Sequence, residues 1–191
     1  MASARNRRRG GQAVKVVVTG PFSAGKTTLI RTISEITVLS TERGITDSTR
    51  SRKAETTVAM DFGRITIDRD LVLYLFGTPG QERFDFMWEI LGEGMIGYLL
   101  LVDAEREDSI AEASGILEAF RRMARVPYVV ALNRAAPDDH ALTERVRETL
   151  QIPADVAIMS VDATDKESVK NVLLALLYAV LDEVETEAVR V

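Results

Sequence analysis

Cysteine is absent from this chain, and histidine occurs once. The first absence excludes a disulfide framework, thiolate-held zinc or iron–sulfur centres, a thiol nucleophile, and prenyl or palmitoyl attachment. The second leaves too few imidazoles for a zinc site or a Ser-His-Asp triad. Long apolar runs are missing as well. The first stretch after the basic start, Val14 to Val18, is too short for a secretory h-region or a bilayer span, so no integral membrane segment is expected. Nor is there an excess of positive charge. With 24 Lys plus Arg against 29 Asp plus Glu, the formal net charge of −5 argues against nucleic acid as a partner of the whole surface. These gaps together point to a protein of the reducing cytoplasm. What is present suits one globular domain: 191 residues, 46% hydrophobic, long enough to bury a core without covalent staples.

Charge is concentrated at the ends. Arg5, Arg7, Arg8 and Arg9 open the chain with no acid among them, while Asp182, Glu183, Glu185 and Glu187 stand near its close against Arg190 alone. The expected organisation is a disordered basic arm over 1–12, a folded domain over 13–183 and an acidic tail over 184–191. The arm reads as a solubilising segment or as an electrostatic contact for anionic lipid or an acidic partner.

Between the ends, apolar β-branched runs alternate with helical patterns. Strands are expected over Val14–Thr19, Thr57–Ile67, Leu71–Phe76, Met95–Val102, Tyr128–Leu132 and Asp155–Ser160. Several are continuously apolar, as strands buried on both faces are. Helices are expected over Lys26–Ile36, Gln81–Leu91, Asp108–Ala124, Asp139–Leu150 and Lys166–Glu183. Only Asp68-Arg69-Asp70 separates the second and third strands, which makes them an antiparallel hairpin. The fold class is therefore a three-layer α/β sandwich with a mostly parallel sheet.

Directly after the first strand stands Gly20-Pro21-Phe22-Ser23-Ala24-Gly25-Lys26-Thr27, a full Gly-x-x-x-x-Gly-Lys-Ser/Thr phosphate loop between strand and helix. Successive backbone N–H groups and a helix N-terminus converge there on phosphate oxygens, and Gly25 lets the main chain come close. Lys26 is placed to reach the β and γ phosphates, and Thr27 offers a hydroxyl to Mg²⁺, a hard cation.

Further along, Gly77-Thr78-Pro79-Gly80-Gln81-Glu82-Arg83-Phe84 resembles the switch II segment of Ras-like small GTPases, and Thr57-Val58-Ala59-Met60-Asp61-Phe62 resembles the end of switch I. The resemblance covers roughly residues 13 to 182. It is closest to bacterial Ras-like GTPases of the actinobacterial conservon type, through Leu75-Phe76-Gly77-Thr78-Pro79-Gly80-Gln81 and the aromatic run Phe84 to Trp88, and more distantly to the MglA gliding-motility type. It implies a P-loop G domain with six strands, the second antiparallel, and five helices. It also implies GTP/GDP and Mg²⁺ as ligands, slow hydrolysis, and a role as a molecular switch. Carried over residue by residue, Gly20, Ser23, Ala24, Gly25, Lys26, Thr27 and Thr28 would hold the phosphates, Asn133 and Ala163 the base, and Thr27 and Thr57 the metal. Gly80 would touch the γ-phosphate and Gln81 would orient the attacking water. Thr56 rivals Thr57. The implied partners are a Roadblock/LC7-type regulatory protein and a membrane sensor-kinase-like protein.

Four departures qualify that pattern. Gly77 stands where a magnesium-steadying Asp is usual. Asn133-Arg134-Ala135-Ala136 keeps the Asn of the guanine-reading Asn-Lys-x-Asp but puts Ala136 in place of its Asp, with Asp138 two residues late and Asp162-Ala163-Thr164 in the place of Ser-Ala-Lys. Phe22 adds bulk where hydrolysis is sensitive to it. The first switch is long, with Arg50 and Arg52 as candidates for an internal arginine finger. The aromatic second switch, with Trp88 and one Phe exposed, reads equally as partner site or core. A pseudo-GTPase interaction module is the alternative reading; a P-loop ATPase or small-molecule kinase is a third.

Overall fold

The computed structural model describes residues 12–40, 60–80 and 85–189. Its elements are β1 (Gln12–Thr19), α1 (Lys26–Ile33), β2 (Leu39–Ser40), β3 (Asp61–Asp68), β4 (Leu71–Gly77), α2 (Phe86–Gly92), β5 (Gly97–Asp103), α3 (Glu107–Met123), β6 (Tyr128–Asn133), α4 (His140–Thr149), β7 (Ile158–Val161) and α5 (Lys166–Val189). The sheet order is β2-β3-β4-β1-β5-β6-β7. Six strands of four residues or more form the expected sheet, and the two-residue β2 extends its edge beside β3. β3 alone runs against the rest, as the hairpin with β4 requires. The other long pairings, β1 with β4 and β5, β5 with β6, and β6 with β7, are parallel.

Alternation sorts the central strands between two cores. Val16, Val18, Leu99, Leu101, Val129 and Ala131 face α1 and α5, meeting Leu29, Ile30, Val169, Val172 and Leu176. Val17, Tyr98, Leu100, Val102, Val130 and Leu132 face the opposite layer and meet Trp88, Ile116, Phe120 and Val146. This two-sided burial is why their sequence is apolar without a break.

Several limits differ from the expected ones. The strand expected from Thr57 begins at Asp61, and Thr57 lies outside the described residues. α1 stops at Ile33 because the Ser34 hydroxyl accepts from Ile36 and Arg64 N–H groups, offering the backbone another partner. α2 begins at Phe86 behind the Asp85 cap, whose carboxylate accepts from the Phe86 N–H at 2.7 Å. α5 runs on to Val189, so the acidic segment expected as a tail from 184 is helical and exposed through 189. Among the described residues no helix is long and apolar enough to cross a membrane.

The carboxyl ends of β1, β4, β5, β6 and β7 lie together along one side of the sheet. From β1 the chain moves to β3 and β4 on one flank and later returns to β5 on the other. Such a reversal of strand order is where open α/β sheets bind ligands.

Candidate functional site

The loop after β1 is built on unusual backbone. Gly20 has φ +141°, and a Cβ there would fall 2.0 Å from the Leu101 carbonyl oxygen of β5. Gly25, the N-cap of α1, is left-handed at φ +103°, and Ser23 adopts φ +62° although it is not glycine. Only a loop fixed by its surroundings holds such values.

Lys26 opens α1 and is buried. Its ammonium donates to the carbonyls of Gly20 at 2.7 Å and Pro21 at 2.6 Å, so it is curled into the loop it belongs to. Burial pulls its pKa down to about 8, against the raising effect of Asp61. Next to it, the Thr27 hydroxyl donates to Asp61 Oδ2 at 2.5 Å. Ser23 and Thr28 are exposed and Ala24 is fully buried.

Asp61, to which the sequence alone assigned no role, joins this cluster. It pairs across the hairpin with Gly77. A Cβ on Gly77 would meet Asp61 Cβ at 3.1 Å, Asp61 Oδ2 at 3.3 Å and Ile30 Cδ1 at 2.9 Å. A carboxylate from the neighbouring strand thus stands beside position 77, and the glycine leaves room for it. An acid opening the apolar strand opposite a glycine was the available signal. A threonine hydroxyl and a carboxylate, both hard oxygen donors, suit Mg²⁺. Among the described residues no group of three or more His, Cys, Asp or Glu gathers to hold a metal by itself.

The segment after β4 presses on the phosphate loop. Thr78 N–H donates to the Val18 carbonyl at 3.0 Å and its hydroxyl to Thr19 Oγ1 at 2.9 Å. Gly80 follows so closely that a Cβ would sit 2.5 Å from Phe22 N. Of the two readings open for Trp88, partner contact or core, the structure shows core: it is buried, and its indole N–H donates to the Pro79 carbonyl at 3.1 Å. Phe86 and Ile90 are the exposed apolar residues of α2, at 52% and 60%. Gln81, Thr57, Thr56, Arg50, Arg52 and Phe84 lie outside the described residues. The arginine brought to the phosphate loop is Arg106, before α3. One guanidinium nitrogen donates to the Phe22 carbonyl at 2.7 Å, while the other is held by Asp108 at 3.0 Å and Glu112 at 3.2 Å. The two residues are 84 apart in the chain, so no local pattern announces the contact.

On the base-facing side, Asn133 donates to the Ala24 carbonyl at 2.9 Å and accepts from the Ala163 N–H at 3.1 Å. It stitches three loops together. That engagement occupies the Ala163 N–H, which the resemblance would give to the base. Thr164 offers no substitute, because its N–H and hydroxyl both donate to Asp162 Oδ1, at 2.8 and 2.6 Å; these bonds hold the Asp162 carboxyl below its ordinary pKa. The cap of α4 is Asp139, whose carboxylate accepts from the Leu142 N–H. The Ala136 carbonyl accepts from the Ser160 hydroxyl at 3.1 Å, and Arg134 pairs with the buried Asp103 of β5.

Two comparisons with known proteins bear on this site. A family described as conserved hypothetical ATP binding protein matches residues 39–183. An uncharacterized protein of Methanocaldococcus jannaschii is 32% identical over 126 residues, spanning 66% of this chain and 73% of that one. The family match begins after the phosphate loop, so that loop and the family assignment are independent observations.

Proposed function

Because the chain belongs to the family of conserved hypothetical ATP-binding proteins, we propose that it is a P-loop nucleotide switch of Ras-like type, which binds a purine nucleoside triphosphate with Mg²⁺ and hydrolyses it slowly. One observation carries this reading. Lys26, Thr27 and Asp61 converge at the end of β1, where a polyphosphate would meet an ammonium, a hydroxyl and a carboxylate in turn.

In the proposed cycle the phosphates draw Lys26 away from the Gly20 and Pro21 carbonyls, exchanging neutral acceptors for charged ones. The N–H groups of the loop and of α1 bind phosphate oxygens. When bound, Mg²⁺ neutralises charge on the β and γ phosphates; Thr27 and Thr57 would hold it, with Asp61 supporting. Gln81 orients a water whose oxygen attacks the γ-phosphorus as the bond to the bridging oxygen breaks, releasing inorganic phosphate and diphosphate nucleotide. Arg106 acts as a positioning residue by fixing the Phe22 peptide. Loss of the γ-phosphate releases Gly80, and with it the segment anchored through Pro79 and Trp88.

GTP is the ligand that the Ras-like motifs imply, and ATP is the one in the family's description. The engaged amides at Ala163 and Thr164 support weak discrimination between them. The exposed Phe86 and Ile90, beside a groove of about 720 Å³ between α2 and α3, support a protein partner that reads α2. A Roadblock/LC7-type protein is the partner proposed from the conservon resemblance, with a membrane sensor-kinase-like protein in the same system. The conservon kinship itself rests on residues 75–88.

Calorimetric titration of the four common nucleoside triphosphates, with Mg²⁺ and with chelator, tests the reading. Tight, Mg²⁺-enhanced binding of ATP or GTP is expected; no heat with any of them ends it. The pseudo-GTPase alternative is favoured by the self-satisfied Lys26. It predicts equal, near-zero turnover for wild type and Gln81→Leu, whereas the switch predicts slower turnover in the variant.

A further inference from the structure

The end of the sheet remote from the phosphate loop carries another cavity, of about 810 Å³, between the amino ends of β5 and β6 and the last turns of α5. Tyr98 and Tyr128 stack in its lining with ring centroids 5.0 Å apart. Tyr98 is 1% exposed, yet its hydroxyl has no hydrogen-bond partner among the described residues, an exception to the rule that buried polar groups are paired. The opposite wall is acidic. Asp155, Asp182, Glu183 and Glu187 line it, and none of them forms an ion pair among the described residues. Of the two bases there, Arg121 is engaged with the Tyr128 hydroxyl and the carbonyls of Leu150 and Gln151, which leaves Arg125.

That acidic wall is the part of α5 that exceeds the expected helix. Its final turns hold Asp182, Glu183, Glu185 and Glu187, with no base in the last turn. Carboxylates at a helix C-terminus oppose the macrodipole, and like charges four residues apart, as Glu183 and Glu187 are, repel. A helix end of this kind calls for a cation from elsewhere.

Strand register locates one. Val16 pairs with Gly97, and a Cβ on Gly97 would lie 3.2 Å from Val180 Cγ2, so the three are level. From that level β1 reaches back four residues to Gln12, about 13 Å, and α5 continues nine residues to Val189, about 13.5 Å. The chain therefore enters β1 at the height of the acidic helix end. Arg5, Arg7, Arg8 and Arg9 precede Gln12 by three to seven residues, roughly 10–25 Å of extended chain. The distance from Val189 back to Tyr178 along the helix is about 16 Å.

We propose that residues 5–9 dock along the acidic face of α5 and into this cavity, their guanidinium groups pairing with Asp182, Glu183 and Glu187 and stacking on the exposed ring of Tyr178. Bidentate carboxylate pairing and aromatic stacking are the two contacts that suit arginine best. The docked arm holds the last turns of α5 helical. It does so independently of nucleotide.

The absence of native cysteine makes a direct test available. Arg8→Cys combined with Thr186→Cys is expected to cross-link within one full-length chain, and Arg8→Cys with Ala141→Cys on α4 is not. Hydrogen exchange gives the second arm. Reversing the arm with Arg5→Glu, Arg7→Glu, Arg8→Glu and Arg9→Glu should speed exchange of amides 183–189 on the order of tenfold. Adding Asp182→Lys, Glu183→Lys and Glu187→Lys should restore protection. Unchanged exchange on arm reversal overturns the proposal, and so does cross-linking between chains, which would make the occupant a second copy. Nucleotide titration of the same variants is expected to match wild type, so the outcome is separable from the switch reading.

Discussion

The phosphate-facing and base-facing loops meet at the same side of the sheet but hold their polar groups in opposite ways. Around Lys26, Thr27 and Asp61 the hydrogen bonds join groups that a polyphosphate and its cation can engage instead: an ammonium on two carbonyls, a hydroxyl on a carboxylate. Around Asn133 and Ala163 the bonds join loop to loop, and the Thr164 N–H is held by Asp162 within its own loop, so these groups are taken up by the fold. The lesson is a division of labour. On the proposed reading, affinity would reside in the phosphate loop and the Asn133 side would serve as scaffold.

The largest expected effect tests the cradle. Lys26→Ala should weaken triphosphate binding by about 3 kcal/mol, roughly a hundredfold in Kd, because charge-assisted bonds to phosphate are lost. Calorimetry reads this directly. A Kd within threefold of wild type would mean that the main-chain amides suffice and the curled lysine is a structural strut.

The next tests the scaffold. Asn133→Ala leaves the Ala24 carbonyl and the Ala163 N–H without their shared partner beside a buried side chain. It should cost about 2 kcal/mol of folding stability, measured as a lower urea midpoint with unchanged slope. If stability is untouched and only nucleotide binding falls, the base-facing loop is a poised site and the contrast breaks.

Much of this contrast could be read before any coordinates, because parts of it are local. The spacing Gly20 to Thr27 fixes a phosphate loop by itself, and the short polar break Asp68-Arg69-Asp70 announces the β3–β4 hairpin, whose turn is Arg69-Asp70. The continuous apolar runs of β1, β5 and β6 announce a sheet covered on both faces. What escaped depends on contacts across space. Asp61 acquires its meaning only when register sets it against Gly77. Arg106 meets Phe22 across most of the chain. Trp88 lies on a helix of seven residues, too short for apolar spacing to say which face is inward. The extension of α5 escaped for the reverse reason: its local signal, a run of acids, speaks against the helix observed.

A third, smaller effect sharpens the cradle's inner division. Asp61→Asn keeps an acceptor for the Thr27 hydroxyl but removes the charge facing Lys26 and the metal position. Mg²⁺-dependent affinity should fall roughly tenfold, as loss of a supporting carboxylate usually causes, while affinity measured in chelator stays the same. Manganese titration followed by electron paramagnetic resonance provides a readout independent of turnover. An equal fall under both conditions would place Asp61 in the fold alone, acting through Thr27.

The smallest effect is expected where resemblance alone would predict the greatest. Ala136→Asp restores the acid of the guanine-reading motif, and in a site complete except for that group a carboxylate accepting from the base would change selectivity by orders of magnitude. Here the neighbouring groups are not free to cooperate. The Ala136 carbonyl is bound to Ser160, Asp139 is committed to capping α4, and the Ala163 and Thr164 amides point to Asn133 and Asp162. A guanine oxygen entering the loop would find its acceptor role unmatched, and the gain from one new carboxylate would be offset by that unpaired group. The ratio of GTP to ATP affinity should therefore move by less than about threefold. A change of a hundredfold would show that the loops rearrange around the base and that these amides can exchange partners.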